Sequence, residues 1–134
     1  MLMTHQWKEQ IGFLSEEEVL QAAREFATVL AETPEYQAFE EAQRQLRHNP
    51  AAQEAIRAFQ EKQQALGWQA QFGFLSDAEQ EELRRLQQAM VNQPAVQNYM
   101  EAQERLRRLC QEVADTISQV IGLNFATGCG PGCC

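Results

Sequence analysis

P-A-V-Q-N-Y-M-E-A-Q-E-R-L-R-R-L-C-Q-E-V-A-D-T-I-S-Q-V-I, residues 94–121, contains no Gly and, after its first position, no Pro. Tyr99, Leu106, Val113 and Val120 recur every seven residues, with Ala102, Gln103, Leu109, Cys110 and Ile117 on the flanking rows. That spacing lays them on one helical stripe, wide enough to pack on two neighbours. At about 1.5 Å per residue a single helix here is about 42 Å long, the full length of a small domain. Everything before it then reads as shorter helices packed along it. Everything after Gly122 reads as an irregular, cysteine-bearing end.

The composition agrees with a helical chain. A length of 134 residues suits one domain with one core. The hydrophobic fraction is 44%, but much of it is Ala, which buries little area. Gln is the commonest residue, and Ala, Gln, Glu, Leu and Arg all form helices readily, while strong β-formers never cluster in alternation. The predicted class is all-α: a small antiparallel bundle of about five helices, with one long C-terminal helix and a flexible Cys/Gly tail.

The earlier helices are marked by their starts. Ser15 followed by Glu18 forms an S-x-x-E capping box, and Leu14 with Val19 is spaced for a hydrophobic staple. The helix that follows runs to about Ala31, with Val19, Ala23, Phe26, Ala27 and Leu30 on one face. Thr33-Pro34 restarts the chain, Thr as N-cap and Pro at the first helical position. The second helix turns Tyr36, Phe39, Ala42 and Leu46 inward and ends near His48. Asn49-Pro50 repeats the cap-and-proline device, and the third helix presents Ala52, Ala55, Ile56, Phe59 and Leu66. Residues 67–75 (G-W-Q-A-Q-F-G-F-L) read as a hinge whose aromatics cover the end of the core; the alternative is that Trp68, Phe72 and Phe74 form a partner-docking patch. Ser76 with Glu79 makes a second capping box, opening a helix that buries Leu83, Leu86 and Met90.

The two halves resemble each other. G-F-L-S-E-E-E at 12 returns as G-F-L-S-D-A-E at 73, and T-P-E-Y-Q-A-F-E-E-A-Q-R-Q-L at 33–46 returns as Q-P-A-V-Q-N-Y-M-E-A-Q-E-R-L at 93–106. The offsets are 61 and 60 residues, which the reading takes as a duplicated helical hairpin with halves 12–66 and 73–121. Two copies are too few for a solenoid. The chain thus divides into a flexible lead-in at 1–14, a helical domain at 15–121 and a Gly/Cys-rich tail at 122–134.

Net charge is −8 with a pI near 4.7, against a nucleic-acid binder, which needs a basic face to neutralise phosphates. Arg84, Arg85, Arg105, Arg107 and Arg108 could form a local basic patch, but Glu81, Glu82, Glu101 and Glu104 balance them as a solvated helix face. Neither a signal peptide nor an apolar run of membrane-spanning length is read. Three of the four cysteines crowd into the last six residues, unlike a disulfide framework. This places the chain in the reducing cytoplasm and turns the thiols toward metal or redox chemistry.

Cys129, Cys133 and Cys134 are the candidate ligands. Soft thiolates select zinc, copper(I) or iron–sulfur clusters. Three are one short of a closed tetrahedral site, and adjacent cysteines do not easily share one cluster, so a fourth ligand would come from another subunit or a partner. The competing reading is a tail whose thiols do nothing. Cys110 lies on the apolar stripe and reads as a small core residue, and His5 and His48 have no partner at metal spacing. The acidic runs at Glu16–Glu18 and Asp77–Glu82 sit in first helical turns, where the helix dipole favours them. With no nucleophile–base arrangement, P-loop or GxGxxG, the chain reads as a non-enzyme.

Residues 32–60 (E-T-P-E-Y-Q-A-F-E-E-A-Q-R-Q-L-R-H-N-P-A-A-Q-E-A-I-R-A-F-Q) and 92–117 (N-Q-P-A-V-Q-N-Y-M-E-A-Q-E-R-L-R-R-L-C-Q-E-V-A-D-T-I) resemble the core of the YlbF/YmcA family of late-competence and biofilm regulators. That family pattern has a helix opened by Ser/Thr-x-x-Tyr, an Ala/Leu row, an N-P break and a final helix carrying A-Q or A-E and Leu. The resemblance covers roughly residues 15–121, and the cysteine-rich end adds to it. It implies a cytoplasmic all-α regulator that forms a homodimer or pairs with a paralogue. It also implies a YlbF–YmcA–YaaT assembly carrying 4Fe–4S clusters and acting with RNase Y on mRNA processing, and through it on competence, sporulation and biofilm formation. By position, Cys129, Cys133 and Cys134 match the cysteine-bearing tail as iron–sulfur ligands shared with a partner. This tail is shorter than the YlbF type and has fewer cysteines, so zinc stays open as the alternative metal.

Overall fold

A computed structural model describes residues 15–125, and every described element is helical: α1 Glu16–Ala31, α2 Pro34–Arg47, α3 Pro50–Ala65, α4 Gly67–Gln71, α5 Asp77–Val91 and α6 Pro94–Ile121. The chain divides into two units, the first ending at Gln37 and the second beginning at Ala38, so that α2 belongs to both. The long helix has the limits its periodicity predicts. Leu14 and the staple it would close with Val19 lie outside the described residues.

In the first unit, α1 begins where the capping box places it. Ser15 Oγ accepts from the Glu18 amide at 3.2 Å, and Glu18 accepts in return from the Ser15 amide at 3.4 Å. Glu16, Glu17 and Glu18 fill the first turn, against the partial positive charge of the helix start. At the far end Thr33 Oγ1 donates to the Leu30 carbonyl at 2.7 Å and accepts from the Tyr36 amide at 3.2 Å. One side chain therefore stops α1 and starts α2. Although α1 is amphipathic, it holds no buried residue: Val19 is 63% exposed, Phe26 43% and Val29 62%.

The second unit is built on α3, α5 and α6, which pack on one another, α3 against α5 most extensively. Ala52, Ala95 and Val96 form the buried cluster, and Leu46, Ile56 and Met90 pack against it. Two prolines set these elements. Asn49 Oδ1 accepts from the Ala52 amide at 2.9 Å, capping α3 just ahead of Pro50, and Gln53 Nε2 donates to the Leu46 carbonyl at 2.8 Å across the turn. At the start of α6, Gln93 is extended and Pro94 occupies the first position, but no side chain caps the helix. Gly122, at φ 72°, ends α6 in the left-handed conformation that favours glycine.

Residues 67–75 depart from the expectation in two ways. They contain a sixth, five-residue helix, α4, which gives way to Gly73 at φ 75°. Their aromatics also do not cover the core: Trp68, Phe72 and Phe74 are 63–70% exposed. The burial falls instead on Leu66, just before this stretch, with Leu75, its last residue, half-buried.

Candidate functional site

The 60-residue offset has a geometric counterpart in the second unit. Phe39 of α2 and Tyr99 of α6, equivalent positions of the repeat, meet with ring centroids 5.4 Å apart. Beside them runs a groove of about 300 Å³ lined by four further equivalent pairs: Ala38 with Asn98, Glu41 with Glu101, Ala42 with Ala102 and Gln45 with Arg105. Ala42 and Ala102 are buried, and their small side chains allow the two helices this approach. The offset itself was the signal for this pairing. What it did not announce is that equivalent residues meet each other.

A second groove, about 730 Å³, lies where the end of α2 and the starts of α3 and α6 converge, with His48, Asn49, Pro50, Pro94 and Asn98 on its walls. Both helix starts carry proline, which removes an amide from each, and Asn49 already caps α3. His48 is exposed, with no carboxylate or thiol among the lining residues.

The five arginines do not form a basic patch. Arg84 binds Glu81 in two-pronged fashion, and Arg85 binds Glu82 at 3.1 and 2.7 Å. Arg107 binds Glu104 at 2.8 and 2.7 Å, with Arg108 added at 3.3 Å. Arg105 lines the α2–α6 groove beside Glu101. The hydrogen bond from Arg107, with Arg108 close by, lowers the Glu104 carboxyl from 4.5 to about 2. Glu81 and Glu82 are lowered by the hydrogen bonds from Arg84 and Arg85. These are exposed i,i+3 and i,i+4 pairs along helix surfaces, worth little individually and weakened by salt.

The proposed thiolate ligands Cys129, Cys133 and Cys134, and His5, lie outside the described residues. Cys110 is half-buried, on the α6 stripe as its position predicts. Among the described residues no group of three His, Cys, Asp or Glu side chains is placed to hold a metal ion. The donor chemistry of the tail suits a thiophilic metal or an iron–sulfur cluster. Among the described residues, too, no helix is long and apolar enough to cross a membrane.

The described body is therefore an all-α scaffold with paired surface charges and exposed aromatics. The chain belongs to the Com_YlbF family, the YlbF/YmcA control-of-competence regulators, whose family model matches residues 19–121. It is also 27% identical over 104 residues to a UPF0342 protein of Symbiobacterium thermophilum, a match covering 77% of this chain and 93% of that protein.

Proposed function

We propose that this chain is a non-catalytic, cytoplasmic regulatory adaptor that modulates RNase Y-dependent mRNA processing. It would act on competence, sporulation and biofilm formation as part of an iron–sulfur-bearing complex. It self-associates or pairs with a paralogue, and its other partners are YaaT-like and RNase Y-like proteins, with no direct contact to nucleic acid or membrane. Cys129, Cys133 and Cys134 supply three thiolates to a 4Fe–4S cluster whose fourth ligand comes from a partner. The observation that carries the reading is the family match across the whole helical body, residues 19–121. The net charge of −8 supports a protein partner over a nucleic acid, and the exposed Trp68, Phe72 and Phe74 offer such a partner an apolar foothold.

The test is anaerobic purification of the full chain and of a chain ending at Thr127, each alone and mixed with a paralogue, followed by absorption spectra and iron, sulfide and zinc analysis. A broad thiolate-to-iron charge-transfer band with matching iron and sulfide, lost when the tail is removed, is the expected result. Zinc in place of iron and sulfide would make the tail a zinc–thiolate site. A metal-free chain in every mixture would remove the tail from the mechanism.

A further inference from the structure

We propose that Trp68, Phe72 and Phe74 form a docking platform for a short segment of another protein, an apolar anchor flanked by Lys or Arg. The inference deepens the adaptor reading above, from which it takes only that the partner is a protein, and it uses neither the tail nor a metal.

The rings are held by backbone, all within the second unit. Trp68 and Phe72 stand four residues apart, so they are neighbours on one face of α4 and its cap. The Phe72 amide donates to the Trp68 carbonyl at 3.1 Å. Gly73 then turns the chain in the left-handed conformation. Its amide donates to the Ala70 carbonyl at 3.3 Å, and the Phe74 amide donates to the Gln69 carbonyl at 2.9 Å. That pair of bonds is a Schellman motif, which folds Phe74 back along the helix it ends. Leu66 is buried before this stretch and Leu75 is half-buried at its close. The two leucines serve the core, and the three exposed rings stand on the solvent side of an ordered turn.

The pattern is written twice in the chain. W-x-x-Q-x-G-F-L-S runs from Trp68 to Ser76 and, 61 residues earlier, from Trp7 to Ser15. The repeated positions include two of the exposed rings, Trp68 and Phe74, and the glycine that turns the chain between them. Exposed aromatics that recur in step with their turn belong to the turn, not to a chance excess of apolar residues. The earlier copy lies, up to Leu14, outside the described residues, and the platform is the later one alone.

Size and charge name the occupant. Three aromatic side chains of about 200 Å² each, two-thirds exposed, offer roughly 400 Å². That is half of the about 800 Å² each partner gives to an interface of standard size. It suits a short segment and is too small for a second copy of this chain. No Lys, Arg or His occurs from Gln63 to Leu83, while Asp77, Glu79, Glu81 and Glu82 follow the rings directly. Glu81 and Glu82 are taken by Arg84 and Arg85. Glu79 bonds to the uncharged Ser76, and Asp77 enters no ion pair among the described residues. Two carboxylates thus follow, without a cation, an aromatic cluster whose ring faces attract one. An Arg or Lys beside an apolar anchor answers both. An anionic membrane surface, the other setting for exposed Trp, is repelled by the same carboxylates.

The test is selection of displayed random peptides on the full chain, reduced and metal-free, with a Trp68→Ser/Phe74→Ser chain as the counter-target. Because these rings are exposed, the double variant should keep its helicity by circular dichroism. A chain ending at Thr127 should select the same peptides. The expected peptides pair an apolar anchor with an excess of Lys and Arg. Synthesised singly, they should bind wild type at least about tenfold tighter than Trp68→Ser and about threefold tighter than Asp77→Asn. Selected peptides without a basic excess, or none that distinguish wild type from the double variant, would overturn the platform and leave the adaptor reading to its own metal assay. Vesicles of phosphatidylglycerol and phosphatidylcholine that bind wild type but not Trp68→Ser would overturn it in favour of a membrane surface.

Discussion

At Ala52 the whole side chain is one methyl group, and it is completely buried against Ala95 and Val96. A larger group has no room there. Ala52→Leu should cost about 1–3 kcal/mol in urea unfolding through overpacking, whereas Ala51→Leu, at the exposed position beside it, should stay within about 0.5 kcal/mol of wild type. Charge acts differently because it is held at the surface. Glu104 is lowered from 4.5 to about 2 by Arg107 and then Arg108. Its folded value lies below its unfolded one, so the interaction stabilises fully above about pH 4.5 and fades as the pH falls toward 2. An NMR titration should find the Glu104 carboxyl titrating well below the ordinary carboxylate range at low salt. In about 1 M salt, where the screening length is about 3 Å, it should move back toward that range.

Single elements are fixed by a few capping atoms. Ser76 Oγ accepts from the Glu79 amide at 3.2 Å, and Glu79 Oε1 accepts from the Ser76 amide at 3.2 Å. Ser76→Ala should therefore cost about 1 kcal/mol, read by chemical denaturation. The counterpart position of the repeat suggests the opposite kind of change. Thr33 caps α2 through its hydroxyl, while Gln93, at the matching place before α6, makes no side-chain cap. Gln93→Thr should stabilise the chain by about 0.5–1 kcal/mol, a gain visible as a raised denaturation midpoint at unchanged slope.

These caps are also why the helices were legible in the sequence. Ser15, Asn49-Pro50, Ser76 and Pro94 announce helix starts through local chemistry that needs no tertiary partner, and Gly122 announces the stop. The stripe of α6 was legible for the same reason, since periodicity is local. Residues 67–75 were less so. Three aromatics in a glycine-bearing stretch say that apolar area is present but not which element lies opposite, and here the opposite side is solvent. The meeting of Phe39 with Tyr99 was half-legible: the offset made them equivalent, but only the packing of α2 on α6 makes them neighbours. The proposed ligands Cys129, Cys133 and Cys134 lie outside the described residues, and glycine-rich spacing states donor chemistry without fixing a geometry.

At the scale of the whole molecule, the buried apolar residues of the described chain are Ala42, Ala52, Ala95, Ala102, Val96 and Leu66. Four alanines, one valine and one leucine bury little area, and no buried side-chain polar atom among the described residues lacks a hydrogen bond. The interior is tidy but thin. Under the self-association proposed above, the chain would draw part of its folding free energy from association, which obeys mass action. Its melting temperature should then rise with the logarithm of protein concentration, a dependence a self-sufficient monomer would lack. In a cell, the fraction of this protein that is folded would then report how much of it has been made. A regulator of this kind would be a dosage gauge before it bound anything else.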